Sequence, residues 1–98
     1  MLLDEPTSHL DIKYQAEIFH LLRRLRDKHG ITIVVSTHDL NMAAMMCDRV
    51  LLLSRGRRAA LGAPGEVITP GAVRHVFDAS VRVNTDPNTG APFVVPDY

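Results

Sequence analysis

Short, unbroken runs of apolar residues indicate the strands of this 98-residue chain. The runs lie at Met1–Leu3, Ile31–Val35 and Val50–Leu53. Unbroken apolar runs of this length are typical of parallel strands that are buried on both faces. Between the first two runs, apolar residues recur at helical spacing, which predicts an amphipathic helix from Ile12 to about His29.

A second helix is predicted between the second and third strands, from Asp39 or Leu40 to about Cys47. It carries three methionines at helical spacing, which favours packing over a ligand site. The order strand, helix, strand, helix, strand is typical of an α/β fold with right-handed crossovers.

The residues after the third strand are richer in turn formers. Ser54–Arg57 predicts a tight turn, and Arg58–Leu61 predicts a short strand that pairs back in the antiparallel sense. A loop is expected at residues 62–65. Thr69 is placed as the N-cap of a helix whose first residue is proline and which runs to about Phe77 or Asp78.

The chain is expected to end in a hairpin with strands at Val81–Val83 and Phe93–Val95, because residues 86–90 between them are turn formers. The predicted fold class is therefore α/β. A core of parallel strands with flanking helices covers residues 1–54, and a small antiparallel appendage of the same domain covers 55–98.

Composition places the chain among ordinary globular proteins, with 46% hydrophobic and 22% charged residues. Lys plus Arg and Asp plus Glu both number 11, so the formal net charge is zero. A nucleic-acid partner is not predicted, because such proteins usually carry a basic surplus. The single cysteine, Cys47, excludes an intramolecular disulfide and fits a reducing compartment. No apolar run approaches the roughly 18 to 20 residues that a membrane span needs.

A basic cluster occupies the second half of the first predicted helix, at Arg23, Arg24, Arg26 and Lys28. Cations near a helix C-terminus interact favourably with the helix dipole, and Gly30 is suited to end the helix. We favour a solvated helix face over a binding patch for this cluster.

Two adjacent carboxylates, Asp4 and Glu5, follow the first buried strand directly. Ligand sites of α/β proteins form at the carboxyl ends of parallel strands. An acid at that position, here Asp4, can hold Mg²⁺ beside the phosphates of a nucleotide, directly or through water. Glu5 is suited to orient or deprotonate a water molecule that attacks the terminal phosphate.

Three motifs resemble those of ABC-transporter ATPases, and they occur in that family's order. Leu2–Thr7 resembles the Walker B segment, Ser8–Asp11 the D-loop, and Ser36–Leu40 the switch-histidine loop. The resemblance implies that Asp4 helps to hold Mg²⁺, that Glu5 is the catalytic carboxylate for ATP hydrolysis, and that His38 contacts the γ-phosphate. It also implies that the D-loop residues Ser8 and Asp11 lie at the nucleotide and dimer interface.

Structural explanations remain open beside these roles. Asp11 stands where the N-cap of the first helix belongs, and capping is as good an explanation as an interface role. His9 replaces the alanine or asparagine common at its D-loop position, and we treat it as a subfamily variation. A hydrolytic metal site formed by Asp4, His9 and Asp11 is a minor alternative.

The tail resembles the C-terminal end of ABC ATPases that drive import of iron-siderophore, haem or cobalamin complexes. Its matching segments are Gly62–Pro70, Val73–Phe77 and Val81–Pro96. The resemblance implies a P-loop NTPase (RecA-like) sheet, with the Walker B, D-loop and switch motifs in residues 1–54. It implies three kinds of partner: a second ATPase subunit, a transmembrane permease and an extracytoplasmic substrate-binding protein. The expected location is the cytoplasmic face of the membrane, as a peripheral subunit.

Nothing in the sequence resembles the P-loop, the glutamine loop or the signature segment of the family, so the chain is expected to be a C-terminal fragment. Phosphoryl transfer needs positioning and charge neutralisation together. We therefore expect the isolated chain neither to bind Mg-ATP usefully nor to hydrolyse it. Its exposed strand edges and apolar patches are expected to make it marginally stable or prone to associate. Two alternatives stay open: a non-catalytic module that docks on an intact ATPase or permease, and a soluble ATPase of the same superfamily acting in DNA repair or translation.

Overall fold

The computed structural model describes residues 1–97 of the chain. The chain forms two compact units, Met1–His38 and Asp39–Tyr98. The boundary predicted at residue 54 is a different division, between the core and the appendage of one domain. It stays a prediction.

The first unit contains two strands and a long helix. Strand β1 is Leu2–Asp4, helix α1 is Ile12–His29 and strand β2 is Val34–Ser36. The strands pair in parallel, as predicted, with Leu2 opposite Val34 and Asp4 opposite Ser36. Strand β2 is shorter than the predicted strand at Ile31–Val35: it begins three residues later and ends one residue later.

Helix α1 has the predicted bounds because both of its ends are capped. The Asp11 carboxylate accepts a hydrogen bond from the Tyr14 N–H at 3.2 Å, which satisfies a free amide of the first turn. At the other end Gly30 has a φ of 63°, and its N–H donates to the Arg26 carbonyl. Glycine adopts this left-handed conformation without the steric cost that a Cβ would add.

The predicted apolar stripe of α1 is largely open to solvent. Leu22 is its buried residue, whereas Tyr14 and Leu21 are 51% and 43% exposed. The basic cluster is also mostly exposed, and Arg26 pairs with Asp27 at 2.8 Å. None of the helices within residues 1–97 is long and apolar enough to cross a membrane.

The second unit begins with helix α2, Leu40–Met46, capped by the Asp39 carboxylate. A hairpin follows, formed by strand β3, Val50–Ser54, and strand β4, Arg57–Gly62. Arg55 and Gly56 between the strands both have positive φ, at 53° and 74°. Two positive φ values are the geometry of a tight hairpin turn, so the predicted turn is confirmed.

Two helices and a second hairpin make up the last third of the chain. The elements are helix α3, Pro64–Val67, helix α4, Pro70–Phe77, strand β5, Val81–Thr85, and strand β6, Pro92–Pro96. Helix α4 and the β5–β6 hairpin confirm the predictions. The loop predicted at 62–65 is wrong, because a helical turn begins at Pro64, whose ring suits the first helical position.

The core of the second unit is made of two small clusters. Ala43, Val50, Leu52 and Val67 form the first, and Ala44, Ile68 and Val73 form the second. Ile68 and Val73 are only 1% and 2% exposed.

Burial alternates along β3, so the prediction that Val50–Leu53 is buried on both faces is wrong. Val50 and Leu52 are buried, whereas Leu51 and Leu53 are 48% and 59% exposed. Among the described strands β3 pairs only with β4, and in the antiparallel sense. A two-stranded antiparallel ribbon that packs on a core with one face leaves its other face open.

One side chain of α2, Asn41, makes two hydrogen bonds to the terminal hairpin. The Asn41 amide donates to the Val94 carbonyl at 3.2 Å, and its oxygen accepts from the Val94 N–H at 2.6 Å. Asn41 thereby satisfies both backbone groups of a residue at the open edge of β6.

Candidate functional site

The predicted catalytic residues of the first unit lie at the carboxyl ends of its two parallel strands. Asp4 is the last residue of β1 and stands opposite Ser36, the last residue of β2. Glu5 and His38 follow these strands by one and two residues. The parallel pairing places both strand ends at one edge of the sheet, which explains why residues far apart in the sequence meet.

Glu5 and His38 are in direct contact. The His38 Nε2 lies 3.2 Å from the Glu5 Oε1, and the two side chains are 90% and 37% exposed. A carboxylate and an imidazole at this distance can share a proton or form an ion pair when the imidazole is protonated. The two groups best suited to proton handling are thus adjacent on an open surface.

The backbone around Glu5 is held by hydrogen bonds despite an unfavourable conformation. Glu5 has a φ of 44°, which is uncommon for a residue with a side chain. Its N–H donates to the Ser36 carbonyl at 2.8 Å, and its own carbonyl accepts from the Ser8 N–H at 3.2 Å. Unusual backbone conformations persist where surrounding contacts hold them, and they cluster at functional sites.

Asp4 has one partner at the strand end: the Ser36 hydroxyl donates to its Oδ1. The sequence placed Ser36 within the switch motif but gave no sign of this contact. The register of the two parallel strands was the missing information. Within residues 1–97 no cluster of three or more histidines, cysteines or acids is arranged to hold a metal ion.

The donor set at the strand end suits Mg²⁺ bound beside phosphates. Asp4 offers a carboxylate, a hard oxygen ligand, and the Ser36 hydroxyl beside it donates to its Oδ1. Mg²⁺ is usually held by one or two carboxylates together with water and substrate phosphates. The alternative metal site of Asp4, His9 and Asp11 gains no support, because these residues form no metal-binding cluster in the part of the chain that the structure describes.

The D-loop residues lie in the turn between β1 and α1. Ser8 is exposed, and Thr7 beside it is buried with 8% exposure. Asp11 is exposed and caps α1, so the capping role is confirmed. His9 has a φ of 64° and an exposed side chain. This turn therefore exposes polar side chains to solvent. Like Glu5, His9 has a positive φ, which is uncommon for a residue with a side chain.

Comparison with known sequences identifies the relatives of this chain. A family of AAA domains, whose description also names the AbiEii toxin of a type IV toxin–antitoxin system, matches residues 1–43. The cobalamin import ATP-binding protein of Halobacterium salinarum is 44% identical over 96 residues, covering 98% of this chain and 24% of that protein. The hemin import ATP-binding protein of Rhodopseudomonas palustris is 46% identical over 97 residues, covering 99% of this chain and 35% of that protein.

Solved structures agree. A metal-chelate type ABC transporter in an inward-facing conformation matches 99% of this chain and 40% of its own, with a TM-score of 0.86 and 27% identity. The cbiO1 protein of Clostridium perfringens, part of the ABC transporter complex cbiONQ, matches 76% of this chain and 30% of its own, with a TM-score of 0.63 and 38% identity. The chain is a relative of the ATP-binding subunits of ABC transporters. Both the resemblance and the predicted fold class are confirmed.

The chain spans about a quarter to two-fifths of the length of the proteins it matches. The structure brings Asp4, Glu5 and His38 to one end of a parallel strand pair, places Ser8 in the adjoining turn and puts Asp11 at the start of α1. The roles assigned to these residues stay predictions.

Proposed function

We propose that the chain is the C-terminal segment of the ATP-hydrolysing, energy-coupling subunit of an ABC importer. The observation that carries the proposal is the 3.2 Å contact between the Glu5 carboxylate and the His38 imidazole beside Asp4. A metal-binding acid, a proton acceptor and a histidine that lie together at one strand end are part of the set of groups that nucleotide hydrolysis uses.

Each residue has a proposed role in this chemistry. Asp4 would hold Mg²⁺, which neutralises charge on the phosphates of ATP when it is bound. Glu5 would orient the attacking water molecule and accept its proton. His38 would contact the γ-phosphate and hold the Glu5 carboxylate in place through the observed contact.

The exposed turn that carries Ser8 is proposed to face a second ATPase subunit. Asp11 would contribute to the same interface while it caps α1. Capping uses its Oδ1, which accepts the Tyr14 N–H, and the side chain stays exposed. The other proposed partners are a transmembrane permease and an extracytoplasmic substrate-binding protein. The subunit would then sit at the cytoplasmic face of the membrane.

The transported compound is proposed to be an iron-siderophore, haem or cobalamin complex. The names of the relatives support this class, since they are cobalamin and hemin import proteins and a metal-chelate type transporter. The zero net charge of the chain gives no support to the DNA-repair or translation alternative.

A chimera tests the proposal. This chain would replace the matched region of the Rhodopseudomonas palustris relative, to which it is 46% identical over 97 residues. We expect the chimera to hydrolyse ATP, and Glu5→Gln to reduce the turnover number by at least about 100-fold with little change in ATP binding. Glu17→Gln is the matched control, because Glu17 is an exposed glutamate on α1. An active chimera that is indifferent to Glu5→Gln would refute the catalytic role.

The isolated chain is expected to show neither ATP hydrolysis nor micromolar binding of Mg-ATP in calorimetry. The alternative of a non-catalytic docking module predicts a different pattern: an inactive chimera, and an isolated chain that still binds an intact ATPase or permease. The large exposed side chains of Ile12, Leu2 and Leu53 are the feature that favours this alternative.

A further inference from the structure

Ser36 contacts both acids of the candidate site, each through a different group. Its hydroxyl donates a hydrogen bond to the Asp4 Oδ1, and its carbonyl accepts the Glu5 N–H at 2.8 Å. The second interaction is a backbone bond that any residue at this position can make. The first needs a hydroxyl, so only the first depends on the serine side chain.

The Asp4–Ser36 contact follows from strand register. The two residues are partners at the ends of β1 and β2, two residues beyond the partners Leu2 and Val34. Side chains on one face of a strand recur at every second residue, so these four lie on one face of the sheet. Asp4 and Ser36 are both exposed, and an exposed hydrogen bond adds little to stability. The contact therefore has a small structural value.

The contact divides the two oxygens of Asp4. Its Oδ1 is occupied by the Ser36 hydroxyl, whereas its Oδ2 has no partner among the described residues. A hydrogen bond to one carboxylate oxygen restricts rotation about the side-chain bonds, and groups that hold a metal-binding side chain in this way tune the affinity of its site. Oδ2 is thus the oxygen available to a cation or to its bound water.

We propose that Ser36 is a positioning residue for Asp4, whose carboxylate it holds in one rotamer with Oδ2 free for hydrated Mg²⁺. The proposal rests on the function proposed above. The Ser36 side chain would then connect the switch-like segment with the Walker B-like segment. The resemblance assigns no role to Ser36 itself.

The first test observes Asp4 directly in the full 98-residue chain. Three-bond couplings from the Asp4 carboxyl carbon to its backbone nitrogen and carbonyl report the χ1 rotamer by NMR. We expect values of a single rotamer in the natural chain and in Ser36→Thr, and averaged values in Ser36→Ala. The matched control is Ser54→Ala, at the end of β3, which should leave the Asp4 couplings unchanged.

The second test measures ATP hydrolysis by the chimera against Mg²⁺ concentration. Ser36→Ala is expected to raise the half-saturating Mg²⁺ concentration by about 10-fold, and Ser36→Thr to restore it. A merely structural role would lower the turnover number without moving the Mg²⁺ requirement.

The outcomes separate the two proposals. Unchanged Asp4 couplings in Ser36→Ala, or averaged couplings in a folded Ser36→Thr, overturn the positioning role. An unchanged Mg²⁺ requirement in Ser36→Ala also overturns the positioning role. If the same chimera is active and loses turnover in Glu5→Gln, the proposed function is still supported. An inactive chimera overturns the proposed function together with the role in Mg²⁺ binding.

Discussion

The His38 imidazole and the Glu5 carboxylate meet at 3.2 Å although the two residues are 33 positions apart in the chain. The parallel pairing of β1 with β2 creates the contact, since Glu5 and His38 both follow the carboxyl ends of those strands. The His38 side chain is 90% exposed. Exposed pairs of this kind contribute about 0 to 1 kcal/mol, so the contact adds little to the stability of the fold.

Glu5→Gly is expected to make the chain more stable, although it removes the proposed catalytic group. Glu5 has a φ of 44°, where a side chain is disfavoured and glycine is not. We expect the free energy of unfolding to rise by about 0.5 to 1 kcal/mol, measured by urea denaturation. Glu5→Gln keeps the strain and should change stability by less than about 1 kcal/mol. A clear loss of stability in Glu5→Gly would show that the backbone is unstrained.

Asn41→Ala is expected to loosen the terminal hairpin. The Asn41 side chain makes two hydrogen bonds to the backbone of Val94, at 2.6 and 3.2 Å. Such bonds contribute about 0.5 to 1.5 kcal/mol each. Both bonds are exposed, so the loss in urea denaturation should lie at the lower end of that range, about 1 kcal/mol in all. Hydrogen exchange at the Val94 amide should also become faster. Asn84→Ala, at an exposed position of β5, is the matched control, and an equal effect of both variants would contradict the prediction.

Two glycine-to-alanine substitutions in the second unit should have opposite effects. A Cβ added at Gly56 or Gly71 meets no atom within 4 Å, so backbone conformation decides the sign. Gly56 has a φ of 74°, and Gly56→Ala should cost about 1 to 2 kcal/mol. Gly71 lies in α4, where alanine is favoured, and Gly71→Ala should add about 0.5 kcal/mol. Thermal unfolding midpoints that move in the same direction would contradict this account.

Stability is expected to fall in alkaline solution through Cys47. Burial raises the pKa of the half-buried Cys47 thiol, and the neighbouring Asp48 carboxylate raises this pKa further. The unfolded thiol ionises at about pH 8.5. Above that pH the unfolded chain loses a proton that the folded chain retains, so the free energy of unfolding declines.

The test compares urea midpoints of the natural chain and Cys47→Ser at pH 7.5 and pH 9.5, values chosen to lie about one unit on either side of that ionisation. Serine does not titrate in this range, and the other groups are the same in both proteins. The natural chain should lose more stability between the two pH values. Equal losses would show that Cys47 makes no contribution.

Local sequence signals predicted helices α1, α2 and α4, but not the short helix α3. Asp11 and Gly30 define α1, and Thr69 with Pro70 begins α4, because capping needs only residues adjacent in the chain. The turn at Arg55 and Gly56 was equally local. Strand burial was predicted badly, since exposure of Leu51 and Leu53 depends on which elements cover each face of β3.

The sequence by itself determined which chemical groups the site contains. Asp4, Glu5 and His38 are recognisable because two acids follow the first apolar run, and a histidine lies shortly after the second, in the order of an ABC ATPase. Only the tertiary structure decided which of them touch. The contact between Glu5 and His38, and the bond from Ser36 to Asp4, depend on a parallel register that no local pattern specifies. Register arises from the pairing of segments far apart in the chain, and sequence spacing alone cannot encode that pairing.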